Sequence, residues 1–167
     1  GMAWGHPRLL DALAHQYSIP REHLLITSGA SMAFVVAALA LTRPGDHAIL
    51  EAPIYQPFPN VLRNRQVAVS HVPRPAPDFA VDTAALAAVI QPNTRLIVLT
   101  NLHNPGGMLL PTATLQQIAA LARQHNITVI VDEVFRDFAP DEAGPRVAAT
   151  LGDNVISING LSKVYGL

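Results

Sequence analysis

The chain has 167 residues, 50% of them hydrophobic, with 11 basic against 12 acidic side chains and no cysteine. One domain with a substantial core is expected at this length, and the near-neutral balance lacks the electrostatic footprint of a nucleic-acid or anionic-membrane binder. The missing thiols exclude disulfides, thiolate metal sites and cysteine nucleophiles, which suits a reducing, cytoplasmic setting and a small-molecule partner.

Gly1 ahead of Met2 reads as a residue left by a tag, with Met2 opening the frame, and the residues that follow form no basic leader with an apolar stretch behind it. No apolar run reaches the roughly 20 residues of a membrane span. Leu9, Leu10, Leu13 and Ala14 recur at helical spacing, predicting an opening helix that ends near Tyr17. Leu24 to Thr27 reads as a first strand, and Ser28-Gly29-Ala30-Ser31 as a tight turn into an apolar helix from Met32 to Leu41. A second strand spans His47 to Glu51, a short helix lies within Pro57 to Arg65, and Val67 to Val72 alternates as a third strand. Asp82 is placed to cap a helix from Thr83 to Ile90. Arg95 to Thr100 is an apolar fourth strand of the kind buried on both faces. A helix from Pro111 and Thr112 to about His125 leads to a fifth strand, Thr128 to Val131, and a sixth runs from Asn154 to Ile158. Strands alternating with helices predict an α/β, three-layer fold with a mostly parallel sheet flanked by helices.

Ligands of such sheets gather beyond the carboxyl ends of the strands, so the polar residues there come first. The turn at Gly29, Ala30 and Ser31 offers backbone donors and a helix dipole to a phosphate, or is simply an ordinary helix start. Asn104 in Asn104-Pro105-Gly106-Gly107 is either a side-chain donor to a ligand or part of a plain turn. Asp132 ends a buried strand, so its carboxylate requires a cation, either a protonated ring nitrogen or an arginine such as Arg95 or Arg136. Lys163 is the only lysine in the chain, and apolar neighbours there would favour the free amine that imine formation needs. The seven histidines show no pair at helical ligand spacing, and no metal site is read.

The ordered set of Ser28-Gly29-Ala30-Ser31, Ala52-Pro53-Ile54-Tyr55, Asn104-Pro105-Gly106-Gly107, Asp132-Glu133-Val134-Phe135 and Ser162-Lys163 resembles the class I/II aminotransferase family of fold type I pyridoxal-phosphate enzymes. The resemblance implies pyridoxal 5'-phosphate as cofactor and an amino acid and a 2-oxo acid as substrates. In it Lys163 would carry the Schiff base and shuttle a proton, Asp132 would pair with the pyridine nitrogen, and Asn104 would donate to the ring hydroxyl. Gly29, Ala30 and Ser31 would hold the phosphate with help from Ser162, and Tyr55 would stack on the ring. The peptide bonds before Pro53 and Pro105 are often cis in such relatives. Phe135 stands where the family often has a tyrosine, Gly160 where many relatives have a serine, and Trp4 where they often have a tyrosine.

The same resemblance implies that residues 1–167 are an incomplete cofactor-binding large domain, without the small domain and without a last antiparallel strand between the first and sixth. Direct pairing of those two strands, strand exchange between copies, or displacement of the opening segment is expected to close the gap, with a homodimer or strand-exchanged oligomer covering the apolar surface. Little or no turnover is expected of the isolated chain. The other readings are a non-catalytic remnant or effector-sensing domain of a regulator on this fold, and a lyase of the same fold.

Overall fold

The computed structural model describes residues 4–140 and 144–167; Gly1 and Met2, the expected tag residue and frame start, lie outside them. The described residues fold as α1 (Pro7–Tyr17), α2 (Ala30–Leu41), β1 (His47–Ala52), α3 (Pro57–Asn64), β2 (Ala68–Pro73), α4 (Thr83–Ala88), β3 (Thr94–Thr100), α5 (Thr112–Gln124), β4 (Thr128–Asp132), β5 (Val155–Ile158) and a single turn, α6 (Leu161–Val164). The five strands pair in parallel in the order β2-β1-β3-β4-β5.

Alternation along the strands explains the three layers. Ile49, Ile97, Leu99, Val129 and Val131 point to a core shared with Leu86 of α4 and Leu115 and Ile118 of α5. Ala48, Leu50, Leu96, Val98 and Ile130 point to a second core with Phe34 of α2 and Phe58 and Leu62 of α3. Helices on opposite faces follow from right-handed crossovers, since β1 connects outward to β2 while β2 connects back across β1 to β3. Asp82 caps α4 as expected: its Oδ1 accepts from the Ala84 and Ala85 amides at 2.9 and 3.0 Å. Pro73 can close β2 because that strand lies at the sheet edge. Among the described residues no helix is long and apolar enough to cross a membrane.

The expected first strand is corrected by the structure. Leu24 to Thr27 is not in the sheet; together with Val155, Ile156 and Ser157 of β5 it lines a cavity of about 890 Å³. A strand requires a neighbour about 4.8 Å away to complete its hydrogen bonds, and the cavity keeps these two segments apart. The Ile26 amide instead donates to the Trp4 carbonyl at 2.9 Å. Direct pairing of the first and last strands is therefore not how this chain is arranged.

Candidate active site

The register brings the strand ends level. Thr100 lies opposite Asp132 and Asp132 opposite Ile158, while β1 runs alongside β3 through Leu50 and Val98. The loops that leave β1, β3, β4 and β5 consequently emerge on one rim, and they carry Tyr55, Asn104, Phe135, Ser162 and Lys163. The chain leaves β1 toward β2 and leaves β3 toward β4, so the loops after these adjacent strands diverge and open a crevice, the usual ligand position in such sheets.

Asp132 is buried at the end of β4, its Oδ1 accepting from the Val134 amide at 3.2 Å. Burial pushes its carboxyl up to about 6, against the opposing pull of that amide and of the Lys163 ammonium. The arginines weighed as structural partners are engaged elsewhere. Arg95 lies 3.6 Å from Asp46, and Arg136 donates to the carbonyls of Ala139, Pro140 and Gly144. Lys163 is the cation whose charge reaches Asp132, yet it is exposed rather than set among apolar neighbours, which corrects that expectation. Lys163 sits in a single helical turn at the rim, where its amine faces solvent.

Gly29 has φ +87° at the start of α2, a left-handed conformation in which glycine has no Cβ to clash. No side chain caps this helix and its first turn has no acidic residue, so the field at Ala30 and Ser31 favours an anion. Ser31 is exposed there, and Ser162 is exposed in α6. The two ends meet: a Cβ on Gly160 would lie 3.9 Å from the Ala30 Cβ and 4.0 Å from the Val134 Cγ1. The phosphate-type turn, the lysine turn and the segment after Asp132 are therefore neighbours.

The bonds before Pro53 and Pro105 are cis, as are those before Pro77 and Leu102. Tyr55 is 44% exposed at the rim, its ring perpendicular to that of Phe58 with centroids 5.5 Å apart. Phe135 is half-buried beside Phe138, with no hydroxyl to offer. The Asn104 amide donates to Thr100 Oγ1 at 3.1 Å, which ties its loop to the end of β3.

Behind these residues lies a polar layer that the motifs did not reveal. Glu51 Oε2 accepts from Arg74 Nη1 at 2.6 Å with both side chains almost fully buried. Glu51 Oε1 accepts from the Thr100 amide at 2.8 Å and from the Thr100 hydroxyl. Burial nevertheless raises the Glu51 carboxyl above its ordinary range, despite Arg74. Glu133 accepts from the Ala148 amide at 2.8 Å and from Ser157 Oγ at 2.5 Å, and burial pushes it up to about 7. Asn159 Nδ2 donates to Tyr17 Oη at 3.1 Å, joining α1 to the turn that leads to Lys163. A charged residue closing an apolar strand, as Glu51 does in His47-Ala48-Ile49-Leu50-Glu51, was the available signal for this layer.

The profile of the family described as aminotransferase class I and II matches residues 3–167. The arginine–pyruvate transaminase AruH of Pseudomonas aeruginosa is 31% identical over 153 residues, 90% of this chain and 39% of that protein. The probable N-acetyl-LL-diaminopimelate aminotransferase of Bacillus subtilis is 32% identical over 87% of this chain and 37% of its own length. Among solved structures, a PLP-dependent aminotransferase from Streptococcus suis superimposes with TM-score 0.92 at 27% identity, covering 100% of this chain and 45% of that one. The chain thus spans less than half the length of these relatives. The family match runs over nearly the whole chain, and the chain belongs to the aminotransferase class I and II family.

Proposed function

We propose that this chain is the cofactor-holding part of an aminotransferase that moves an amino group between an amino acid and a 2-oxo acid. Family membership implies pyridoxal phosphate as the cofactor. The observation that carries the reading is Asp132, a buried carboxylate that neither Arg95 nor Arg136 pairs, at a rim where the charge acting on it is that of Lys163, the sole lysine of the chain. Such a carboxylate fits a protonated ring nitrogen, and the uncapped start of α2 fits a phosphate.

The bound cofactor supplies an electron sink for charge developing at the substrate α-carbon. Asp132 would keep the proton on the ring nitrogen, and Asn104 would donate to the ring hydroxyl. The amides of Gly29, Ala30 and Ser31, with the hydroxyls of Ser31 and Ser162, would hold the phosphate. Tyr55 would cover one ring face. Lys163 would attach the cofactor and move a proton at the α-carbon, a role its exposure at the rim leaves it free to perform. Phe135 provides a ring edge without the hydrogen bond that a tyrosine would add.

The test is dialysis of the chain after incubation with pyridoxal phosphate, then borohydride reduction and peptide mass mapping. The wild type is expected to retain a visible absorbance band and a pyridoxyl group on Lys163, and Lys163→Ala to lose both completely. Bleaching of the band by an amino acid would report amino-group transfer. Equal retention by wild type and Lys163→Ala would sink the assignment.

Self-association is part of the same proposal. Met32, Val36 and Leu39 of α2 are 46, 37 and 53% exposed on a helix with no charged residue, a surface that a second copy would cover. Light scattering is expected to show a dimer that Val36→Asp/Leu39→Glu converts to monomer. A wild type that is already a uniform monomer at micromolar concentration would refute it.

A further inference from the structure

His103 belongs to the loop that carries Asn104 and reaches across to the loop that carries Tyr55, the two that diverge at the crevice. Its ring is buried, with Nε2 3.2 Å from the Pro53 carbonyl in the loop that carries Tyr55. Its Nδ1 accepts from the Gly106 amide at 3.2 Å in the loop that carries Asn104. These partners fix the tautomer: a carbonyl only accepts and an amide only donates, so Nε2 carries the proton and Nδ1 the lone pair. We propose that His103 is a positioning residue, a neutral imidazole clamp that sets the separation of the Tyr55 and Asn104 loops and thereby the seat of the cofactor ring between them.

Three further observations fit a clamp rather than a filler. The Phe79 ring lies against the imidazole, with centroids 4.9 Å apart, and also against Gly106, so it backs both partners of the Nδ1 bond. A Cβ at position 106 would come within 2.7 Å of His103 Nδ1 and 2.4 Å of Phe79 Cδ2, so only glycine lets the amide approach the ring. The charged groups of this layer, the Arg74 guanidinium from the end of β2 and its partner Glu51 from β1, complete the setting. Burial and Arg74 both disfavour a second proton on the ring, which keeps the acceptor nitrogen free. Protonation at Nδ1 would abolish the Gly106 bond and loosen the turn that orients the ring toward Pro53.

The inference rests on the cofactor reading above, and the experiment separates the two. His103→Asn can keep an acceptor for the Gly106 amide but cannot reach Pro53, whereas His103→Gln can donate to Pro53 but misplaces the acceptor. Each therefore retains half of the clamp. Imidazole nitrogen shifts of the cofactor-free chain are expected to show the Nε2–H tautomer, and each variant is expected to hold pyridoxal phosphate roughly three- to tenfold more weakly, the worth of one hydrogen bond. The circular dichroism of the bound cofactor band should change in both variants, a readout that loss of stability alone would not move. An Nδ1–H tautomer overturns the clamp, as do wild-type affinity and dichroism in both half-clamp variants. Failure of the wild type to take up the cofactor overturns the site reading and the positioning role with it.

Discussion

Asp132→Asn is expected to stabilise the cofactor-free chain at pH 7 by about 1–3 kcal/mol while weakening cofactor retention roughly ten- to a hundredfold, opposite effects from one carboxylate. Burial raises the Asp132 carboxyl from 3.8 to about 6, so keeping it ionised at neutral pH costs at most about 3 kcal/mol. The folded chain binds this proton more tightly than the unfolded chain does. Its contribution to stability is therefore fully present below about pH 4 and is lost as pH rises through about 6. Asparagine removes the charge and keeps an oxygen for the Val134 amide. Urea melts at pH 5 and pH 8 read the difference between wild type and variant, which isolates Asp132 from Glu133 and Glu51, whose raised carboxyls have the same sign. The gain should appear at pH 8 and shrink at pH 5, whereas a variant less stable than wild type at both would contradict the account.

Removing one partner of the buried pair behind the site should have a larger effect. Arg74→Leu is expected to cost about 3–5 kcal/mol, because Glu51 is left ionised and almost fully buried with only the Thr100 donors. That is a large part of the 5–15 kcal/mol by which domains are typically stable. The loss should diminish in acid, where Glu51 takes up a proton and the uncompensated charge disappears. Glu51→Gln/Arg74→Leu is expected to recover part of the loss, since the pair is desolvated and Arg74 Nη2 is itself buried without a hydrogen-bond partner. Denaturant midpoints of the single and double variants give the coupling directly. A cost below about 1 kcal/mol for Arg74→Leu would show that water reaches Glu51 readily.

The two pairs of results bear on different levels of the molecule. Asp132 concerns a carboxylate whose proposed partner is a ligand, so folding and that proposed role oppose one another there. Glu51 and Arg74 concern a charge neutralised within the protein, so folding and the placement of the rim loops coincide. Thr100 links the two levels, donating to Glu51 and accepting from the Asn104 amide.

The order of strands and helices in this chain was readable from local order in the sequence. Apolar runs at strand spacing marked β1, β3, β4 and β5, Asp82 marked the start of α4, and the ordered motifs placed Asp132, Asn104 and Lys163 at strand ends. Each of these depends on residues a few positions apart, where periodicity and capping act. Only the tertiary structure decided that Leu24 to Thr27 stays out of the sheet, since a strand exists by virtue of its neighbour and a cavity stands where a neighbour would be. It also decided that Lys163 is exposed, that Glu51 meets Arg74 across 23 positions, and that His103 reaches Pro53 across 50. Burial and polar pairing of this kind depend on which strands lie side by side, and the order β2-β1-β3 places the ends of β1 and β3 together although a whole strand and two helices separate them along the chain.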